Sequence, residues 1–152
     1  MSGERVTVRQ NARFETEFLA CDPRRDDCQE LAPVGRLEEL TPYGMLLASL
    51  GACTAVVLHM YAKRHDLRLD RVELRLRYDR VFAKDCETCD TVERYRETID
   101  EEISLEGDLD GEERRRLLLV SKHCPIHKIL AYGMEIASRL DERRESAGRE
   151  TL

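Results

Sequence analysis

The hydrophobic pattern changes period several times along the chain, and each change marks an element. Val6 and Val8 alternate with polar neighbours in Arg5 to Gln10, the period-2 signature of a strand with one wet face. Asn11 and Ala12 offer a turn, and a second strand is expected at Arg13 to Leu19, which closes a hairpin. From Cys21 to Glu39 neither period persists and Asp, Arg and Pro accumulate, so a long surface loop is expected. Thr41-Pro42 then supplies an N-cap and a proline at the first helical position. The residues to Ala62 are mostly apolar or small, which predicts a core helix. Lys63, Arg64 and His65 at its end suit the negative pole of the helix dipole.

Val72, Leu74, Leu76 and Tyr78 alternate with Glu73, Arg75, Arg77 and Asp79 in the cleanest strand pattern of the sequence. A polar stretch, Asp85 to Thr91, follows. Ile99, Ile103 and Leu105 then share one parity before Gly107, and predict another strand. Asp110 and Glu113 have capping-box spacing ahead of the apolar run Leu117 to Val120. Pro125 interrupts that helix and begins a short one, which leaves Cys124 at a helix junction. Met134, Ile136, Ser138 and Leu140 predict a last strand, and residues 141–152 carry too little apolar surface to fold. The order ββα, ββ, αα, β predicts an α+β class, with one domain over residues 1–140 and a disordered tail over 141–152.

Composition narrows the function. The 152 residues carry 31 acidic and 25 basic side chains for a net charge of −6. No basic stretch has aromatics interleaved for stacking on bases, so nucleic acid is not expected as a partner. The apolar run Met45 to Leu58 is about 14 residues against the roughly 20 that a membrane span needs. No membrane association is expected, and the N-terminal MSGERVTVRQ has no secretory h-region, so a cytoplasmic protein is expected. In that compartment thiols stay reduced. The six cysteines, Cys21, Cys28, Cys53, Cys86, Cys89 and Cys124, therefore point to redox chemistry, catalysis or metal rather than to a disulfide framework.

Cys53 lies inside the apolar helix, where an unpaired cysteine behaves as a small hydrophobe. Burial raises its pKa, so a reactive Cys53 needs a cation or hydrogen-bond donor nearby. Cys124 precedes Pro125, where a helix N-terminus offers free N–H groups to a thiolate, and His123 and His127 flank it. Cys86-Glu87-Thr88-Cys89 has the spacing of half a zinc site or of a redox pair, which Cys21 and Cys28 could complete to four thiolates. The favoured reading of all four is loop cysteines with no metal. No Gly-rich phosphate loop or Ser/His/Asp arrangement occurs, and no cofactor is expected.

Two segments carry a resemblance to a known family. TPYGMLLASLGACT over residues 41–54 resembles the cysteine-bearing helix of the OsmC/Ohr proteins, and HCPIHK over residues 123–128 resembles their second-cysteine motif. The likeness covers about Val6 to Leu140 and is nearest to the subgroup with an additional CxxC. It implies an OsmC-like fold, with antiparallel sheets wrapped around central helices in an intertwined homodimer and active sites at the subunit interface. It also implies a thiol-dependent hydroperoxide reductase in which Cys53 is peroxidatic and Cys124 resolving, with a small dithiol such as a lipoyl group as reductant. Local activation alone would assign those roles the other way, since Cys124 has the better helix terminus. Organic-hydroperoxide members place a Glu after the helix-leading proline, where it orients an activating Arg; here that position is Tyr43, which cannot form an ion pair at neutral pH. Arg13 and Arg36 are the two candidates for the activating Arg. The alternatives are a non-catalytic or metal-binding member of the same fold and a module that binds a small apolar ligand.

Overall fold

The computed structural model describes residues 3–25, 28–82 and 95–145. Its centre is an antiparallel sheet in the order β3-β2-β1-β4-β5, built from β1 (Glu4–Asn11), β2 (Thr16–Ala20), β3 (Ala32–Pro33), β4 (Arg68–Phe82) and β5 (Tyr95–Asp108). The helices are α1 (Pro42–Arg64), α2 (Gly111–Ser121), α3 (Pro125–Tyr132) and the single turn α4 (Glu142–Glu145). The α+β class expected from the pattern is observed.

Register explains where the core lies. Val6 faces Leu76, Val8 faces Leu74 and Gln10 faces Val72 across β1 and β4, so the alternating apolar residues of both strands share one face. Those five apolar side chains are buried beneath Leu47, Leu50, Ala55 and Leu58 of α1. The opposite face is an ionic lattice that includes Arg9 with Glu73 at 2.7 Å and Arg75 with Glu102 at 3.0 Å. By length and apolarity α1 could cross a membrane, but half of its most apolar window is buried within the fold, and it serves as the core helix.

The ends of α1 follow the local chemistry. Thr41 Oγ1 accepts from the Gly44 amide at 3.0 Å, with Pro42 in the first turn. One sheet covers only one side of this helix, however, and Tyr43, Met45 and Met60 on other sides remain exposed. Farther along, the Asp110 carboxylate accepts from the Glu113 amide at 2.8 Å, and the Glu113 carboxylate accepts from the Asp110 amide at 2.9 Å. That reciprocal pair starts α2, and both α2 and α3 pack against α1.

Three expectations change. The second strand begins at Thr16 rather than Arg13, because Phe14 adopts φ 64° within the turn. The stretch from Cys21 to Glu39 contains β3 and a 3-10 turn at Leu37–Glu39, which is too short for periodicity to reveal. The expected last strand does not form, and residues 133–140 have no regular structure. A strand needs a neighbouring edge, and this segment leaves α3 with Met134, Ile136 and Leu140 exposed and pairs with no strand among the described residues.

Candidate functional site

Cys53 sits half-buried on α1, and Cys124 is fully buried as the residue that caps α3. Pro125 at the first position of α3 breaks the run from α2, and the Lys128 amide donates to the Cys124 carbonyl at 3.1 Å. This junction turns Cys124 inward, so that the two thiols, both free, come close enough for Cys124 to shift the ionisation of Cys53. Burial pushes the Cys53 thiol up from its ordinary value, and the hydrogen bond with Cys124 adds to the rise. The backbone N–H of Ile126, in the first turn of α3, acts against both and favours the thiolate. The helix terminus near Cys124 therefore serves Cys53 as well, which eases the conflict over which cysteine has the better activator.

A cavity of about 340 Å³ includes in its wall Leu50, three residues before Cys53 on α1, and His127, three residues after Cys124 on α3; Leu46, Ile99 and Leu130 add apolar surface and Glu101 a further polar group. Its outer end carries an aromatic and ionic cluster. Tyr43 and Tyr78 stack with centroids 4.5 Å apart, Arg80 Nη2 donates to the Tyr43 hydroxyl at 3.0 Å, and Glu97 accepts from both Tyr78 at 2.9 Å and Arg80 at 3.2 Å. Tyr43 thus holds an arginine through its uncharged hydroxyl and without an ion pair.

Of the residues singled out in the sequence, Cys53 and Cys124 are brought together, and Tyr43 stands near the cavity mouth. Arg13 and Arg36 are elsewhere. Arg13 is exposed in the β1–β2 turn, whose Phe14 packs on His59 and lies under Lys63 near the far end of α1. Arg36 precedes the 3-10 turn, pairs with Glu38 at 3.3 Å, and lines a second cavity of about 370 Å³ against Ala48 and Ala52 on another flank of α1. Among the described residues, no arginine contributes to the shift at Cys53.

Cys21 and Cys28 require a correction, because they form a disulfide with Cα atoms 5.7 Å apart. The bond uses both sulfurs, so a pair expected as free thiols has no thiolate left for a shared zinc site. Cys86 and Cys89 lie outside the described residues.

Two features escaped the sequence reading. Arg80 meets Tyr43 across 37 positions, a contact that no local pattern encodes. Glu101 did leave a trace: it has the same parity as Ile99, Ile103 and Leu105, an acid in the middle of an apolar stripe. It faces Leu76 in the β4–β5 register, and its burial pushes the carboxyl up from the ordinary range.

Comparison with known proteins agrees with this architecture. Residues 35–139 match the family described as OsmC-like protein. A solved structure of an OsmC-like hydroperoxide resistance protein from Jannaschia sp. CCS1 superposes with a TM-score of 0.58 at 18% identity, covering 93% of this chain and 95% of that one. A second, a putative osmotic stress induced and detoxification response protein from Psychrobacter arcticus 273-4, gives a TM-score of 0.44 at 17% identity, covering 88% and 90%. No curated protein matches the chain in sequence. The family match spans well over half of the chain and includes both cysteine segments, and the protein belongs to the OsmC-like family.

Proposed function

We propose that this protein is a thiol-dependent peroxidase that reduces organic hydroperoxides through Cys53 and Cys124. The observation that carries the proposal is the meeting of two free thiols, next to helical residues, Leu50 and His127, that wall an apolar cavity. The Cys53 thiolate attacks the distal oxygen of the hydroperoxide; the S–O bond forms, the O–O bond breaks, and the products are Cys53 sulfenic acid and an alkoxide, which takes up a proton to become the alcohol. Cys124 then attacks that sulfur and expels water, which leaves a Cys53–Cys124 disulfide. A small dithiol of the lipoyl type reduces it by thiol–disulfide exchange. The cavity wall favours an alkyl or aryl substituent over bare hydrogen peroxide, because Leu46, Leu50, Ile99 and Leu130 offer it apolar contact. The description of the Jannaschia protein as a hydroperoxide resistance protein is consistent with this reading.

The working unit in this proposal is a cytoplasmic homodimer. Tyr132, Met134, Ile136 and Leu140 are between 60% and 87% exposed along one segment, a run of apolar surface that a second copy would cover. The chemistry is tested with purified, reduced protein, cumene hydroperoxide and dihydrolipoamide. Wild type should turn over. Cys53→Ser should be inert, and Cys124→Ser should accumulate a sulfenic acid that a dimedone probe traps. Full turnover by Cys53→Ser would move the nucleophile elsewhere and end the proposal.

A further inference from the structure

We propose that Glu101 is the general acid of this reaction, giving its carboxyl proton to the oxygen that leaves when the O–O bond breaks. The inference rests on the peroxidase reading above and adds a residue to it.

Three observations converge. First, β5 presents Ile99, Glu101, Ile103 and Leu105 to the same side, facing Tyr78, Leu76, Leu74 and Val72 of β4; the strand places one carboxyl on the face that packs the core. Second, that carboxyl is incompletely partnered. Glu101 Oε1 is buried without a completed hydrogen bond, and so is Thr54 Oγ1, the hydroxyl of the residue after Cys53. The two groups are close enough for Thr54 to favour the carboxylate slightly, but burial disfavours it more. A carboxyl in that position retains its proton more readily than one in water. Third, Glu101 lines the cavity of about 340 Å³ together with Leu50 of α1, three residues before Cys53, and His127 of α3, three residues after Cys124. Tyr78 and Glu97 are the other titratable groups on its wall.

The peroxidase step creates a demand for a proton that this arrangement meets. Attack by a thiolate on the distal oxygen releases an alkoxide, a strong base that is a poor leaving group in an apolar cavity. With Glu101 protonated, the Cys53 thiolate, the hydroperoxide and the carboxylic acid become sulfenic acid, neutral alcohol and carboxylate. One S–O bond forms, one O–O bond breaks and one proton moves from Glu101 to the leaving oxygen. The carboxylate regains a proton from water before the next turnover.

The test exploits the leaving group. In stopped-flow experiments on the reduced full-length protein, Cys53 oxidation is followed in a single turnover with cumene hydroperoxide and with peracetic acid, whose acetate leaving group needs no proton. Glu101→Gln should slow the reaction with cumene hydroperoxide about 100-fold, the lower end of general-acid contributions, and leave that with peracetic acid nearly unchanged. Glu101→Asp, which keeps an acid on a shorter arm, should recover part of the loss. Equal losses with both oxidants would make Glu101 a structural residue and overturn the proposal, and so would an unchanged rate with cumene hydroperoxide. Wild type inert toward both would instead overturn the peroxidase reading beneath it.

Discussion

At Gly51, two residues before Cys53, α1 comes so close to the sheet that an added Cβ would stand 2.6 Å from Val8 Cγ2 and 2.9 Å from Leu76 Cδ1. Both neighbours are buried strand side chains with little room to move. Alanine is worth up to about 1 kcal/mol more than glycine in a helix, but overpacking of this kind costs about 1–3 kcal/mol. Gly51→Ala should therefore lower the melting temperature and shift Cys53 relative to Cys124, which a thermal melt and the single-turnover rate will read. Ionisation gives a second prediction at this scale. The Cys53 thiol is raised, so its alkylation at pH 7 should be slower than that of free cysteine and accelerate as pH rises past the ordinary thiol range. Glu101 is raised as well. A raised acid favours the fold below its unfolded pKa and loses that contribution as pH rises through the folded one. Glu101→Gln should accordingly stabilise the protein at pH 8, with the gain shrinking toward pH 4. A gain independent of pH would show that the carboxyl is not the cause.

Element boundaries were legible wherever a side chain must bond the backbone. Thr41-Pro42 and the Asp110–Glu113 pair could be read from the sequence because a cap is a local device. Thr41→Ala and Asp110→Ala should each cost about 1 kcal/mol, measured by denaturant unfolding. The β4 alternation was legible for the same local reason. The inward place of Glu101 was not, because its stripe reads as apolar only when the acid is passed over. A long-range tie adds a pH dependence: His59 on α1 bonds the Gln10 carbonyl of β1 at 3.1 Å, and burial depresses its pKa below 6.5. A depressed group contributes stability above its unfolded pKa and loses it as pH falls through the folded one. Stability should therefore drop on acidification below pH 6.5, and His59→Met should flatten that limb.

For the whole molecule, the least legible features are those that depend on distant or separate segments. The Cys21–Cys28 closure joins two positions seven apart that no periodicity links, and compartment chemistry argued against it. The expected last strand fails for the opposite reason: its pattern is clear, but a pattern cannot supply a partner edge. If a second copy supplies it, light scattering should give a dimer at micromolar concentration, and Ile136→Asp with Leu140→Asp should shift the protein toward monomer. A wild-type monomer would count against the pairing.

The positions of Cys53 and Cys124 along the chain have one more consequence. Between them lie the end of α1, both long strands of the sheet and all of α2, so a bond between the two sulfurs would enclose most of the core in one covalent ring. Closing a loop of that size removes enough freedom from the unfolded chain to add about 4 kcal/mol of stability in the chain-entropy account. In the proposed peroxidase cycle the protein would then alternate between a slack and a laced form of the same fold. The oxidation state of a sample could be followed as a shift in its melting curve, with no peroxide, reductant or label present.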